Sequence, residues 1–287
     1  MKQPDSYPWI NPIGGFGDML MISGVLKQVV DKYPRKRYNL IRRTNYLTVF
    51  KNHPAIATIG YPGKNEQIQN VNYWAMDIPG PGIHRAYQVL ARAFGLKIPV
   101  KEVLYLPDMD IEDTVFIDTI PFRNINIAIA PASDSPRKIM PAFLWHDLVE
   151  RLKFDNYFVM QVGRLRDLHI RNSYSLLGQT DLRQLLNVLK RCDLIITSDN
   201  LIMHAAHLLG KPAIVLWGAT LRERYGYEGH YHIIAERTCR LPFSEECIDS
   251  RKNTDGKLYG RDCPHMPNHC MAGIRPEEIY AMVKEVL

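Results

Sequence analysis

Residues 176–220 read "LLGQTDLRQLLNVLKRCDLIITSDNLIMHAAHLLGKPAIVLWGAT", and this run decides the fold class. Its first part, 180–192, carries leucines at helical spacing behind Thr180 or Asp181, either of which can cap the first turn. "DLIITSD" follows as a short, continuously apolar strand, then the helical "LIMHAAHLLG", then the strand "AIVLWG". Gly210 can end the second helix, and Pro212 cannot continue it. Strands apolar on both faces, alternating with helices, belong to a parallel sheet covered by helices, so the class is α/β.

The same rhythm extends outward from this run. "NINIAIA" (124–130) predicts a buried strand, "AFLWHDLVERL" (142–152) a helix and "YFVMQVG" (157–163) a strand. Nearer the start, strands are expected at 9–13, 38–42, 56–60 and 73–77, with helices at 18–32 and 84–94. Residues 107–124, "PDMDIEDTVFIDTIPFRN", break the pattern with two prolines and five acidic side chains. This places a domain boundary there, giving an N-terminal domain of 1–123 and a C-terminal domain of 124–287. No internal repeat interrupts either series.

Composition agrees with two globular cores: 287 residues are 46% hydrophobic and 23% charged. The opening "MKQPDSYPW" lacks the apolar run of a secretory signal, and no window reaches the roughly 18 apolar residues of a membrane span. The expected location is therefore cytoplasmic. Lys32, Arg35, Lys36, Arg37, Arg42 and Arg43 concentrate part of the +6 formal charge near the first turn and second strand. Such a cluster suits an anionic partner or a solvated basic edge. Nothing matches a nucleic-acid module, so no nucleic-acid partner is expected.

A second informative stretch is "IGGFGDMLMISGVLKQVVDKYP", residues 13–34, where Gly14, Gly15 and Gly17 precede Asp18. A dinucleotide fingerprint would begin at Gly15 and Gly17, but Leu20 stands at its third glycine. Arg42 and Arg43 stand where an NAD site places a carboxylate, which leaves only an NADP variant. Structure alone offers another reading: the glycines permit a tight turn, and Asp18 caps the following helix.

Together, the two stretches resemble the heptosyltransferases of glycosyltransferase family nine. That family's pattern has a glycine-aspartate pair before a helix ending in Tyr-Pro. Later come leucine-glycine, a helix, a strand, Asp-Ser/Thr-Gly-x-x-His, Gly-x-Pro and a strand ending in Gly-x-Thr. The resemblance implies a GT-B architecture, two Rossmann-like domains facing across a cleft, with donor held by the C-terminal domain and acceptor by the N-terminal one. It also implies inverting sugar transfer from a nucleoside diphosphate, with no cofactor required for catalysis. Asp18 falls on the family's catalytic aspartate, a carboxylate able to take the acceptor hydroxyl's proton as the glycosidic bond forms. The glycines would then let the turn approach the sugar closely.

The resemblance also assigns a donor site. A departing diphosphate gains negative charge, which an ammonium or a helix N-terminus can stabilise. "PASDSPRKIMP" supplies Ser133, Arg137 and Lys138, with Lys138 at the family's lysine, Arg137 the alternative and Met140 at its aromatic position. In "SDNLIMH", Asp199 and His204 are retained for sugar and diphosphate, while Asn200 replaces a small hydroxyl residue and Leu201 replaces the glycine. Gly163 and Asp167 of "GRLRD" resemble the glycine and acid beside the nucleoside ribose.

Cys192, at a helix end, reads as core. Cys239, Cys247, Cys263 and Cys270 are separated by seven, fifteen and six residues. Four thiols can bind zinc or iron tetrahedrally, although this spacing lacks compact C-x-x-C pairs. His265 or His269 could replace a thiol, and "DCPHMPNHC" resembles the C-terminal segment of some family members, including protein heptosyltransferases with an iron-binding finger. Reduced structural thiols and disulfides are the alternatives to a structural metal.

The functional expectation is a glycosyltransferase moving a heptose or related sugar, specifically from ADP-heptose. The acceptor would be a surface glycan, a lipopolysaccharide precursor or other lipid-linked glycan, or a protein. The enzyme would then work in the cytoplasm, at the inner face of the membrane. Two rivals are a nucleotide-sugar-binding GT-B protein that has lost transfer and an NADP-dependent oxidoreductase.

Overall fold

The computed structural model describes residues 7–42, 47–74, 76, 85–109, 114–236 and 269–287. The chain divides into two compact units, Met1–Asp110 and Ile111–Leu287.

The first unit holds β1 (Trp9–Pro12), α1 (Phe16–Lys32), β2 (Tyr38–Ile41), α2 (Leu47–Phe50), β3 (Ile56–Gly60), β4 (Ile68–Val71) and α3 (Ala86–Ala93). Its strands form one parallel sheet in the order β3-β2-β1-β4. Helix α1 buries Met19, Leu20, Ile22, Val25, Leu26 and Val29. On its flank, Gln28 Nε2 donates to the Tyr87 hydroxyl of α3 at 2.7 Å, and that hydroxyl donates to the Val103 carbonyl at 2.7 Å.

Strand β4 corrects the sequence reading, which puts a strand at 73–77. The apolar "YWAMD" attracted the assignment, whereas the strand is the polar "IQNV", exposed except at Val71. Backbone pairing decides it: β4 aligns Gln69 with Ile10 and Asn70 with Asn11, whose side chains also hydrogen-bond at 2.8 Å. An edge strand can be this polar because only its partner side must be satisfied.

The second unit's first helix is α4 (Thr114–Ile117), inside the 107–124 segment where the sequence places the domain boundary. The unit continues through β5 (Asn126–Ala130), α5 (Ala142–Phe154), β6 (Phe158–Gln161), β7 (Tyr174–Ser175), α6 (Leu182–Lys190) and β8 (Leu194–Ser198). Then come α7 (Leu201–Leu209), β9 (Ala213–Trp217), α8 (Arg222–Tyr225), β10 (Tyr231–Ile234) and α9 (Pro276–Val286). All six strands are parallel, ordered β10-β9-β8-β5-β6-β7. With β5 counted as first, this is the Rossmann order 3-2-1-4-5-6.

Ile127, Ile129, Leu194, Ile196, Ile214 and Leu216 pack with Trp145 and Leu148 of α5 and Ile279 and Val283 of α9. Because the chain runs from β5 to β6 on one side and from β8 to β9 on the other, right-handed crossovers put α7 on the opposite face from α5. Gly210 closes α7 in the left-handed conformation at φ 64°. Cys192 is core as expected, with burial pushing its thiol up to about 12.

Candidate active site

A doubly wound sheet opens a crevice beyond the carboxyl ends of its strands where the winding reverses. In the second unit that point lies between β5 and β8, and both neighbouring loops deliver charged side chains to it.

After β5, a short 3₁₀ turn, Pro136–Lys138, carries Arg137, which is buried, and Lys138. After β8 comes Asp199. Lys138 Nζ donates to Asp199 Oδ2 at 2.8 Å and to its backbone carbonyl at 3.3 Å. The side chains are 18% and 9% exposed, so this is an ion pair largely removed from water. Burial alone would push the Asp199 carboxyl up. The Lys138 ammonium, aided by His204 and a Thr220 hydrogen bond, instead holds it below the ordinary carboxylate range.

Asn200, expected at the family's hydroxyl position, joins two loops at the start of α7. As the N-cap of α7 it accepts from Ile202 N at 2.8 Å and from Thr197 Oγ1 at 2.9 Å. Its amide nitrogen donates to the Ala132 carbonyl at 2.9 Å, tying the helix start to the loop after β5. A serine could cap but could not also span that gap. Ser133, half-buried, follows Ala132 in the same loop.

One turn into α7, the buried His204 places Nδ1 2.7 Å from the Tyr227 hydroxyl. Burial pulls its pKa down to about 4, so the ring is neutral at pH 7. Tyr227 stacks flat on His207, with centroids 3.8 Å apart and planes 5° apart. His230 meets both rings edge-on, and burial pulls its pKa down to about 3.

At the end of β6, Asp167 accepts from Arg164 N at 2.7 Å. Gly163 at φ 155° makes room for it, since a Cβ there would sit 2.7 Å from Asp167 Oδ2. Asp167 is thus held by its own loop, with Arg164 also pairing to Asp134 at 2.6 Å.

The first unit reverses its winding between β1 and β4, and Asp18 follows β1 at that point. Gly15 N donates to Asp18 Oδ2 at 2.6 Å. Gly14 has φ 137°, and a Cβ on it would lie 2.3 Å from the same oxygen. Gly14 therefore admits the carboxylate. Asp18 does cap its helix, but a carboxylate has further acceptor sites, so capping leaves its capacity to accept a proton in place.

Of the four cysteines, Cys239, Cys247 and Cys263 lie outside the described residues, as do His265 and Arg43. Cys270 opens a short turn against Gly218, where a Cβ would approach its sulfur to 3.0 Å. His269 Nε2 donates to the Ile139 carbonyl at 3.0 Å, bracing the loop that bears Lys138 instead of presenting that nitrogen to a metal. Among the described residues no group of three or more His, Cys, Asp or Glu is placed to hold a metal ion.

The structure thus brings Lys138, Asp199, Asn200 and His204 together. Sequence reasoning passed over Tyr227 and the hydrogen bond from Thr220 to Asp199. Thr220 was signalled by the Gly-x-Thr ending of β9. Tyr227 lies in "RERYGYEGHYH", whose density of aromatic and histidine residues was the available sign.

Two parallel α/β units, the second wound in Rossmann order, are compatible with the two-domain GT-B class of glycosyltransferases. The chain belongs to glycosyltransferase family 9 (heptosyltransferase), whose model matches residues 48–253. Asp18 lies ahead of that match. Comparison with curated proteins finds no match.

Among solved structures, the chain is similar to the dodecameric iron-containing heptosyltransferase TibC of E. coli in complex with ADP-D-beta-D-heptose. The TM-score is 0.73 at 14% identity, covering 100% of this chain and 77% of that one. It is similar to a family 9 glycosyl transferase from Veillonella parvula, with TM-score 0.68, 15% identity and coverage of 98% and 97%. It also resembles E. coli ADP-heptose LPS heptosyltransferase II, with TM-score 0.65, 13% identity and 98% of both chains covered. Family membership argues against the NADP-dependent oxidoreductase reading. Among the described residues, no helix is long and apolar enough to cross a membrane.

Proposed function

We propose that this enzyme transfers a heptosyl group from ADP-heptose to a sugar hydroxyl of a surface glycan or lipopolysaccharide precursor, with inversion at the anomeric carbon. The observation that carries the reading is the Lys138–Asp199 pair at the reversal of the second sheet. An ammonium there can bridge its own carboxylate and the diphosphate, because lysine has three donors. Asp167 at the end of β6 is suited to the ribose hydroxyls, while Asp199 and His204 address the sugar and diphosphate. Ser133 and Arg137 complete the diphosphate loop.

In the reaction, Asp18 takes the proton of the acceptor hydroxyl as its oxygen bonds to the anomeric carbon. The bond from that carbon to the diphosphate oxygen breaks on the opposite face. ADP leaves with the electron pair, its charge met by Lys138. The domain assignment, 1–123 for acceptor and 124–287 for donor, belongs to this proposal. A sugar acceptor is favoured by Trp74, which follows the β4 side of the first unit's reversal and is 46% exposed. It is held edge-on by Tyr73 at 4.8 Å, and a flat indole face suits the apolar face of a pyranose. A lipid-linked acceptor would bring the protein to the inner face of the membrane.

The test is a panel of ADP-, UDP- and GDP-sugars scored first by thermal shift and then by product mass. Stabilisation by ADP-heptose above the others is expected. Preference for a uridine or guanosine donor would contradict the assignment.

A further inference from the structure

We propose that Tyr227 is a positioning residue for His204: its hydroxyl donates to His204 Nδ1, fixing the ring proton on Nε2 as a neutral hydrogen-bond donor to the nucleoside-diphosphate sugar. This rests on the donor site proposed above.

The two groups lie 2.7 Å apart, and Tyr227 is only 3% exposed, so its hydroxyl has little access to water. A neutral imidazole has one donor and one acceptor nitrogen, and a hydroxyl can be either partner. A phenol, with an ordinary pKa of about 10, is a far stronger acid than the N–H of neutral imidazole, and therefore the better donor. The proton then resides on Nε2, and the electrostatic reach of Asp199 and Lys138 to this ring places it in the charged part of the site.

Tyr227 is held by its ring, stacked on His207 and edge-on to His204 and His230 at 5.6 and 5.7 Å. Phenylalanine would keep all three contacts. Without the hydroxyl, Nδ1 becomes a buried acceptor with no donor from Tyr227, and the opposite tautomer becomes accessible. That tautomer turns the Nε2 lone pair toward an anionic ligand, which repels it.

The experiment compares Tyr227→Phe, His204→Gln and the double variant. Steady-state kinetics use ADP-heptose, calorimetry uses ADP, and nitrogen-proton correlation spectra of histidine-labelled protein report the tautomer. His204 is assigned by the signal missing from His204→Gln. Wild type should show the Nε2–H tautomer. Tyr227→Phe should shift it and raise the donor KM roughly 3- to 10-fold, the size of one neutral hydrogen bond, with kcat little changed. In the His204→Gln background the same change should add no further loss.

An Nδ1–H tautomer in wild type would overturn the proposal, as would an equal loss on adding Tyr227→Phe to His204→Gln. If His204→Gln leaves donor KM unchanged, the donor-site reading fails instead, while the tautomer still decides whether Tyr227 sets the ring.

Discussion

At the residue scale, the proposal gives the Asp18 carboxylate, which caps α1 through Gly15 N, a second function as the base. Asparagine keeps an oxygen for Gly15 N but cannot take a proton. Asp18→Asn should therefore leave ADP affinity and melting temperature near wild type while lowering turnover roughly 100-fold or more. Turnover at saturating donor checks this, and near-wild-type turnover would reduce Asp18 to a cap. Lys138→Ala leaves the Asp199 carboxylate buried without its cation, so both ADP affinity and thermal stability should fall. The stability loss should be about 3 kcal/mol at most, because the pair borders the crevice. Calorimetry with ADP and chemical denaturation separate the two effects. The family resemblance, rather than residue type alone, singled out both positions: a carboxylate beside glycines and a lysine in a strand-to-helix loop. Tyr227 was not singled out, because a tyrosine 23 positions from its partner announces no contact in sequence.

At the element scale, Asp181 settles the choice between two candidate caps of α6. It accepts from Gln184 N at 2.9 Å, and Gln184 Oε1 returns to Asp181 N at 3.1 Å. Asp181→Ala should cost about 1 kcal/mol, measurable by denaturant unfolding, with donor affinity unchanged. Such a cap is readable because its partners lie three residues apart. The run β8-α7-β9 was readable because a buried parallel strand is continuously apolar. Strand β4 was not, since its identity comes from hydrogen bonds to β1, and periodicity pointed instead to Tyr73 and Trp74. Those two aromatics lie in the turn after it. Trp74→Ala should raise the acceptor KM roughly 5-fold or more and leave the donor KM unchanged, and a peptide-like insensitivity to this change would argue against a sugar acceptor.

At the scale of the whole molecule, acid should weaken the fold before carboxylates titrate. Burial pulls His53 and His204 down from 6.5 to about 4, and His230 to about 3. Between pH 6.5 and about 4 the unfolded chain binds these protons and the folded chain does not. Stability is therefore fully present above 6.5 and is lost as pH falls through this window. Asp199, held low in the fold, adds a further loss below the ordinary carboxylate range. Melting temperature should decline from pH 7 to 4.5, and a flat profile would contradict the buried-neutral assignment. Class and sheet type were visible in the chain, because repeated patterning encodes them, while the loops after β5 and β8 were marked by the family resemblance. Which histidine touches which tyrosine is set by the return of β10 and its preceding loop, and pattern carries no record of that.

The most direct test of the central claim is the mass and anomeric configuration of the product formed from ADP-heptose and a cell-envelope glycan extract. The expected product carries one added heptosyl residue with inverted configuration, releases ADP, and is absent with Asp18→Asn. Transfer only from a different nucleoside-diphosphate sugar, or a product with retained configuration, would contradict it.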